Sequence, residues 1–203
     1  MKGAVKHGAK GGVQRVVKGE VRLIGGLWKR SKLPVLDRPG LRPTPDRVRE
    51  TLFNWLGQDL SGWRVLDAYA GTGALGFEAA SRGAAEVLMI EKDAQALDGL
   101  RVVKERLQAA QVQLLASDAL AWLKRAEANR WDLVLLDPPF DTDVVNVALA
   151  AAAPTLAEGG RVYVEAPREL QTAPAGLLRH RHLRAGAVHA HLFVRTAGPA
   201  AED

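Results

Sequence analysis

The sequence contains no cysteine. A disulfide framework, a Cys-ligated zinc and a catalytic thiol are excluded at once. The absence suits a reducing compartment. Long apolar runs are also missing: no stretch approaches the roughly 20 residues that a spanning helix needs. The first residues, MKGAVKHGAKGGVQRVVKGE, are basic but lack the apolar middle of a secretory signal. There is no internal repeat. Four of the five histidines fall between 180 and 191, without the spacing of a helical metal site; they read as surface and tail residues. The expectation is a soluble, cytoplasmic protein that needs no metal.

What is present is an ordinary globular composition, 47% apolar and 25% charged over 203 residues. That length supports one domain with an appendage and a sizeable core. The formal charge of +5 is unevenly placed. Residues 1–50 carry 13 Lys/Arg against 4 Asp/Glu, whereas residues 51–203 carry 15 against 19. A basic arm on a mildly acidic body fits either contact with a polyanion or a solubilising tail.

The chain divides into a flexible basic tail over 1–19, an N-terminal extension and helix over 20–57, a main domain over 58–196 and a C-terminal tail over 197–203. Short strands are expected in EVRLIGG and KLPVL. Thr44 suits an N-cap, Pro45 the first helical position and Asp46 the first turn. Val48, Leu52, Trp55 and Leu56 then form one apolar stripe, closed by Gly57. From residue 63 strands and helices alternate. The strands are Arg64–Ala68, Glu86–Glu91, Val112–Ala116, Asp132–Asp137 and Arg161–Glu165. The helices are Ala74–Arg82, Ala94–Ala109, Asp118–Asn129 and Asp143–Leu156. This predicts a parallel sheet covered on both faces. Leu177–Ala185 and Ala187–Arg195, split by Gly186, predict a final antiparallel pair.

Two turns carry chemistry. Gly71, Gly73 and Gly76 form G-x-G-x-x-G between a strand and a helix. Glu91 ends the next strand, 20 positions after Gly71, where a carboxylate can accept both hydroxyls of a ribose. A dinucleotide and S-adenosylmethionine both present such a ribose. Asp67, four positions before Gly71, favours the second: it crowds a pyrophosphate but suits the cationic amino group of a methionine moiety. Asp118 either accepts from an adenine amine or simply caps a helix.

The second turn is Leu136-Asp137-Pro138-Pro139-Phe140. Two prolines stiffen it and fix its carbonyls. An exocyclic amine of a base is a poor nucleophile, because its lone pair is delocalised into the ring. The Asp137 carboxylate and Pro138 carbonyl can accept its N–H groups and orient it toward an electrophile. Phe140 can stack on the extruded base.

The order D-x-Y-x-G-T-G, an acid ending the second strand, an acid after the third and D-P-P-F after the fourth resembles class I S-adenosylmethionine-dependent methyltransferases acting on amino nitrogens. Upstream, Ile24–Arg30, Lys32–Val35 and Gly40–Leu56 (with Arg-Pro-Thr-Pro-Asp-Arg-Val-Arg-Glu) narrow the resemblance to the RsmD type of 16S rRNA methyltransferase. It covers residues 20–195.

The resemblance implies an α/β, Rossmann-like fold. Its seven-stranded, mostly parallel sheet has a reversed last strand and carries a small N-terminal β-rich extension. It implies methylation of the N2 amine of guanine 966 in 16S rRNA, by a monomer acting on the rRNA within an assembled or partly assembled small ribosomal subunit. Asp137, Pro138 and Phe140 would be catalytic. Thr44, Asp67, Tyr69, Gly71, Gly73, Glu91, Lys92, Asp118 and Ala119 would hold the cofactor, with Thr44 at a helix N-terminus suited to its carboxylate. Lys29, Arg30, Arg38, Arg42 and Arg47 would meet RNA. Arg47 and Arg49 are either RNA contacts or a solvated face, and Trp28 either stacks on a base or fills the core. Two rivals remain: an adenine-N6 DNA methyltransferase, which would use the same turn, and an RNA-binding assembly factor with a vestigial cofactor fold. A dinucleotide oxidoreductase has no use for Asp-Pro-Pro-Phe.

Overall fold

The computed structural model describes residues 17–36, 44–139 and 142–196. An antiparallel hairpin comes first, β1 (Val17–Arg22) and β2 (Lys32–Leu36). Its pairing starts at Val17 opposite Leu36, so the last three residues of the expected tail 1–19 lie in the hairpin. Helix α1 (Asp46–Leu56) follows. The main sheet then builds through β3 (Arg64–Asp67), α2 (Ala74–Ser81), β4 (Glu86–Glu91), α3 (Ala94–Leu107), β5 (Val112–Ala116), α4 (Ala119–Leu123) and β6 (Trp131–Leu136). It closes through α5 (Thr142–Ala152), a short 3-10 turn (Ala153–Thr155), β7 (Leu156–Ala166), β8 (Leu177–Ala185) and β9 (Val188–Arg195).

The sheet has seven strands in the order β5-β4-β3-β6-β7-β9-β8. Only β9 runs against its neighbours. The expected mostly parallel sheet with a reversed last strand is therefore present. Successive crossovers run one way from β3 to β5 and the other way from β6 to β7. The strand order reverses between β3 and β6, and their carboxyl ends frame the crevice where ligands bind in such sheets.

Several expected bounds move for physical reasons. The helix expected over Asp118–Asn129 stops at Leu123. Beyond that point the chain offers Ala126, Glu127 and Arg130, nothing bulky to bury, and Asn129 takes a left-handed conformation with φ 59°. The helix expected to reach Leu156 tightens at Pro154, which lacks the N–H an α-helix needs. Strand β7 begins at Leu156, and the register slips between Trp131 and Leu133 opposite Gly159-Gly160.

The N-terminal extension packs into the main core. Val48, Leu52 and Leu56 of α1 are buried as expected, in one cluster with Val65, Leu135 and Tyr163 of the sheet. Trp55 packs half-buried at the margin. Trp28 does the same, which settles it as a packing residue. Its N–H donates to Ser81 Oγ at 2.8 Å. Gly26, at φ +70°, lies so close that a Cβ would fall 1.8 Å from the Ser81 carbonyl oxygen.

Arg49 corrects the sequence reading. It is neither solvated nor available to RNA: it is fully buried. Its guanidinium donates to Asp46 Oδ1 at 2.7 Å and to the Arg22 carbonyl at 2.9 Å, and lies 3.8 Å from Glu78 Oε2. Glu78 also accepts from Arg82 and from the Ile24 N–H, both at 2.8 Å. One buried ionic knot thus ties hairpin, α1 and α2 together.

Candidate active site

The site is built where the chain leaves β3 and β6. Asp67 ends β3, buried, and its Oδ2 accepts the Gly76 N–H at 2.9 Å. Gly76 is glycine for close packing: a Cβ would stand 2.5 Å from Met89 Cε and 2.9 Å from Asp67 Oδ2. Gly71 and Gly73 take positive φ, 51° and 77°, which lets the turn enter α2 at Ala74. Among the described residues, Asp67 Oδ1 and the buried Tyr69 hydroxyl have no hydrogen-bond partner. Burial, with Glu91 nearby, raises the Asp67 carboxyl to about 7. Burial and then Asp118 raise the Tyr69 hydroxyl to about 12.

Glu91 ends β4 and braces the glycine turn. Its Oε2 accepts the Gly71 N–H at 2.9 Å and its Oε1 the Asp93 N–H at 2.8 Å. Each oxygen keeps a further lone pair for a ligand. Lys92 follows, exposed. Asp118 caps α4, accepting from the Ala121 N–H at 2.9 Å. The capping alternative is thus present, and it leaves the second carboxylate oxygen to other donors. Ala119, buried, opens α4.

Asp137 follows β6 directly, with Pro138 buried behind it and Pro139 exposed. Thr44 is not the N-cap of α1; Pro45 holds that position without a side-chain bond. The Thr44 hydroxyl turns instead to Asp137 Oδ2, donating at 3.4 Å. Burial, then Glu165, then Asp67 hold the Asp137 carboxyl well above the usual carboxylate range.

Glu165 and Tyr163 were not singled out from the sequence. Both are buried near the end of β7, and Tyr163 donates its hydroxyl to Glu165 Oε1 at 2.9 Å. Burial raises the Glu165 carboxyl against the relief given by Thr44 and Tyr163. Glu165 obeys the rule that flagged the others, an acid closing an apolar strand, but no motif marks it. Asp67, Asp137 and Glu165 together make an acidic pocket of low dielectric. Such a pocket favours cations and N–H donors, since each would relieve the mutual repulsion.

The proposed RNA contacts scatter more widely. Lys29 and Arg30 are exposed at the tip of the hairpin, and Arg47 is exposed on α1. Arg38, Arg42 and Phe140 lie outside the described residues. The histidines correct the sequence reading in part. His180 is exposed, but His191 is fully buried and accepts the Leu170 N–H on Nε2 at 3.1 Å. His182 stacks on His189 and His191 at centroid distances of 5.2 and 4.6 Å. Among the described residues no group of three or more acids or histidines is arranged to hold a metal ion. Among them, too, no helix is long and apolar enough to cross a membrane.

The family model described as conserved hypothetical protein 95 matches residues 21–194. The ribosomal RNA small subunit methyltransferase D of Escherichia coli K12 is 41% identical over 183 residues, covering 88% of this chain and 92% of that one. This chain belongs to that RsmD-type methyltransferase family. The Haemophilus influenzae protein of the same name is 40% identical over 157 residues, 75% of this chain and 81% of its own. Among solved structures, a putative methyltransferase, yhhF from Escherichia coli, superposes with a TM-score of 0.79 at 40% identity, covering 89% of this chain and all of that one. The magnesium protoporphyrin IX methyltransferase of Synechocystis, solved with SAM bound, shares the fold at a TM-score of 0.59 and 17% identity. It covers 74% of this chain and 79% of that chain. In this family member the glycine turn and the acids thus sit on a methyltransferase fold, at its topological switch point.

Proposed function

We propose that the protein transfers a methyl group from S-adenosylmethionine to the N2 amine of guanine 966 in 16S rRNA. It acts as a cytoplasmic monomer on 16S rRNA within an assembled or partly assembled small ribosomal subunit. The observation that carries this reading is the acidic pocket of Asp67, Asp137 and Glu165 beside the glycine turn. The residues fit the cofactor: Asp67 Oδ1 and the Tyr69 hydroxyl are buried polar atoms with no partner among the described residues. A cationic ammonium satisfies the first. Glu91 has capacity for ribose hydroxyls, and Asp118, Ala119 and Lys92 border the place for the adenine. Gly71 and Gly73 keep the turn low. Thr44, whose hydroxyl serves Asp137, positions that acid, in place of the methionine carboxylate role first considered for it.

When bound, S-adenosylmethionine supplies an electrophilic methyl group on a sulfonium. Asp137 and the Pro138 carbonyl accept the N–H groups of the target amine and aim its lone pair in line with that methyl. Phe140 stacks on the base. As the N–C bond forms and the S–C bond breaks, Asp137 takes the proton the amine loses. Burial and the neighbouring acids raise its carboxyl, which makes it a stronger base for that proton. No covalent enzyme intermediate is needed.

The test has two parts. Labelled methyl transfer is compared across small subunits, naked 16S rRNA and duplex DNA. The modified nucleotide is then mapped in rRNA from cells with and without the protein. Loss of one N2-methylguanine at position 966 is expected. Adenine modification in duplex DNA would replace this reading with the DNA enzyme, and failure to bind S-adenosylmethionine would revive the assembly factor.

A further inference from the structure

We propose that the open edge of the sheet, strand β8, is a docking rail for the phosphate backbone of RNA flanking the target nucleotide. This inference rests on the rRNA reading above. Strand β8 is the last strand of the sheet, paired only with β9. Arg179, His180, Arg181 and Arg184 along it are all exposed. From residue 170 to 196 the sequence has four arginines and four histidines and not one acid. In the rest of the chain after residue 50, acids outnumber Lys and Arg by 19 to 11. The edge is therefore a mainly basic strip on an acidic body, with Glu169 paired to Arg179 at its start. An anionic polymer would be drawn to it and away from its surroundings.

Position carries the inference further. β8 runs parallel to β7, so its carboxyl end lies on the same side of the sheet as the acidic pocket. Arg184 pairs with His189, and His189 pairs with Ala166, the residue after Glu165. Arg184 therefore stands level with Ala166, two strand spacings away, about 10 Å, on the opposite face of the sheet from Glu165, whereas Arg181, level with Tyr163 through Leu192, shares the face of the acids. A strand of RNA whose base enters the pocket can set a phosphate on Arg181, on the acids' face, and pass over the open edge to Arg184. Two features suit a single-stranded guest. The stacked rings of His182, His189 and His191 share the face of Arg179 and Arg184. Leu178 is 63% exposed on the same strand. Desolvation and the neighbouring positive charges hold His189 below its ordinary value and His191 at about 4. The arginines keep the rail charged across the physiological range.

Charge on an edge strand also blocks edge-to-edge pairing between molecules, and the register shift between Arg179 and Arg181 would help. Mixed charges would serve that end as well; the excess of positive charge selects a polyanion. The two roles separate experimentally. Among the described residues, Arg181 and Arg184 make side-chain bonds only to nearby carbonyls, of His180 and Gly186, so Arg181→Gln/Arg184→Gln leaves the packing intact. Arg179 is spared because it is tied to Glu169 and to the Leu170 carbonyl.

Binding of the full chain to naked 16S rRNA is measured across a salt series, with S-adenosylmethionine affinity and Tm read in parallel. The double variant should lose roughly tenfold in RNA affinity, and its log–log salt slope should fall by about 1.4, two single-strand phosphate contacts. Cofactor affinity and Tm should not move, and Arg181→Lys/Arg184→Lys should recover most of the binding. Unchanged RNA affinity and slope beside a wild type that binds would overturn the rail alone. Self-association of that variant would mark the arginines as edge guards. A wild type that ignores 16S rRNA would overturn the rRNA reading, and the rail with it.

Discussion

Replacing Asp67 by Asn should stabilise the free protein and weaken its hold on S-adenosylmethionine at the same time. The carboxyl sits at 1% exposure. Burial pushes it from its ordinary 3.8 to about 7, with Glu91 adding to the shift and the Gly76 N–H opposing it. Between those two values the folded state keeps a proton that the unfolded chain has lost. Stability therefore falls as pH rises across that window. Roughly three pH units at about 1.36 kcal/mol each set a ceiling near 4 kcal/mol at neutral pH. Asn has nearly the same shape, still accepts the Gly76 N–H and carries no charge. Recovering about 1–3 kcal/mol of that ceiling corresponds to a Tm gain of roughly 2–12 °C for a chain of this size.

Binding should move the other way. An ammonium group needs the ionised carboxylate. The wild-type affinity for S-adenosylmethionine should be near its maximum just above pH 7 and fall about tenfold per pH unit below it, about 30-fold by roughly pH 5.5. The Asn variant should bind weakly, with no such slope. Calorimetric titrations between about pH 5.5 and 7.5 stay below the ligand's own amino titration, and melts of the same samples give the stability. Two results would refute the reasoning. One is a wild-type affinity that ignores pH. The other is a variant that melts earlier yet binds normally, which would make Asp67 a structural group.

Asp137→Asn should cut single-turnover methyl transfer by roughly 10²–10⁴-fold, with calorimetric S-adenosylmethionine affinity nearly unchanged. Equal loss of both would remove the assigned role. Glu165→Gln deletes a negative neighbour of Asp137, so the Asp137 carboxyl moves down toward its ordinary range. The acid limb of the transfer rate against pH should then shift to lower pH, which a kcat–pH profile reads directly. Arg49→Met unpicks the buried knot while Glu78 keeps Arg82 and the Ile24 N–H. The cost should lie near the low end for a broken buried pair, about 3 kcal/mol. Thermal melts should show a drop of roughly 6–12 °C.

The strands β4 and β5 and the start of α2 were legible in the sequence because their signals are local. Apolar, β-branched runs end in an acid, and a glycine turn precedes a helix. The acids at those ends were legible for the same reason. What escaped depends on partners far along the chain. Thr44 has the chemistry of a cap, but Asp137, 93 residues on, takes its hydroxyl. Arg49 reads as surface charge until Glu78 is folded against it. Glu165 follows an ordinary strand, and only the third dimension brings it to Asp137. His191 looks like its exposed neighbours because strand alternation does not say which face the loop around Leu170 covers.

These escapes share a cause that bears on the N-terminal extension. Side chains two apart on a strand share a face. Asp67 follows Val65, Asp137 follows Leu135 and Glu165 follows Tyr163 by that spacing, and all three apolar residues belong to the cluster that receives α1. The acids therefore emerge on the face that the extension roofs. Thr44 reaches Asp137 from that roof, and Arg49 pins the roof to α2 through Glu78. The extension is thus a wall of the acidic pocket as well as the carrier of Lys29, Arg30 and Arg47. With β8 on the far side of β7 and β9, the pocket lies between two basic margins. A polyanion held by both would be stretched across the acids, and only a base turned out of it, presenting N–H donors, would find a favourable place among them.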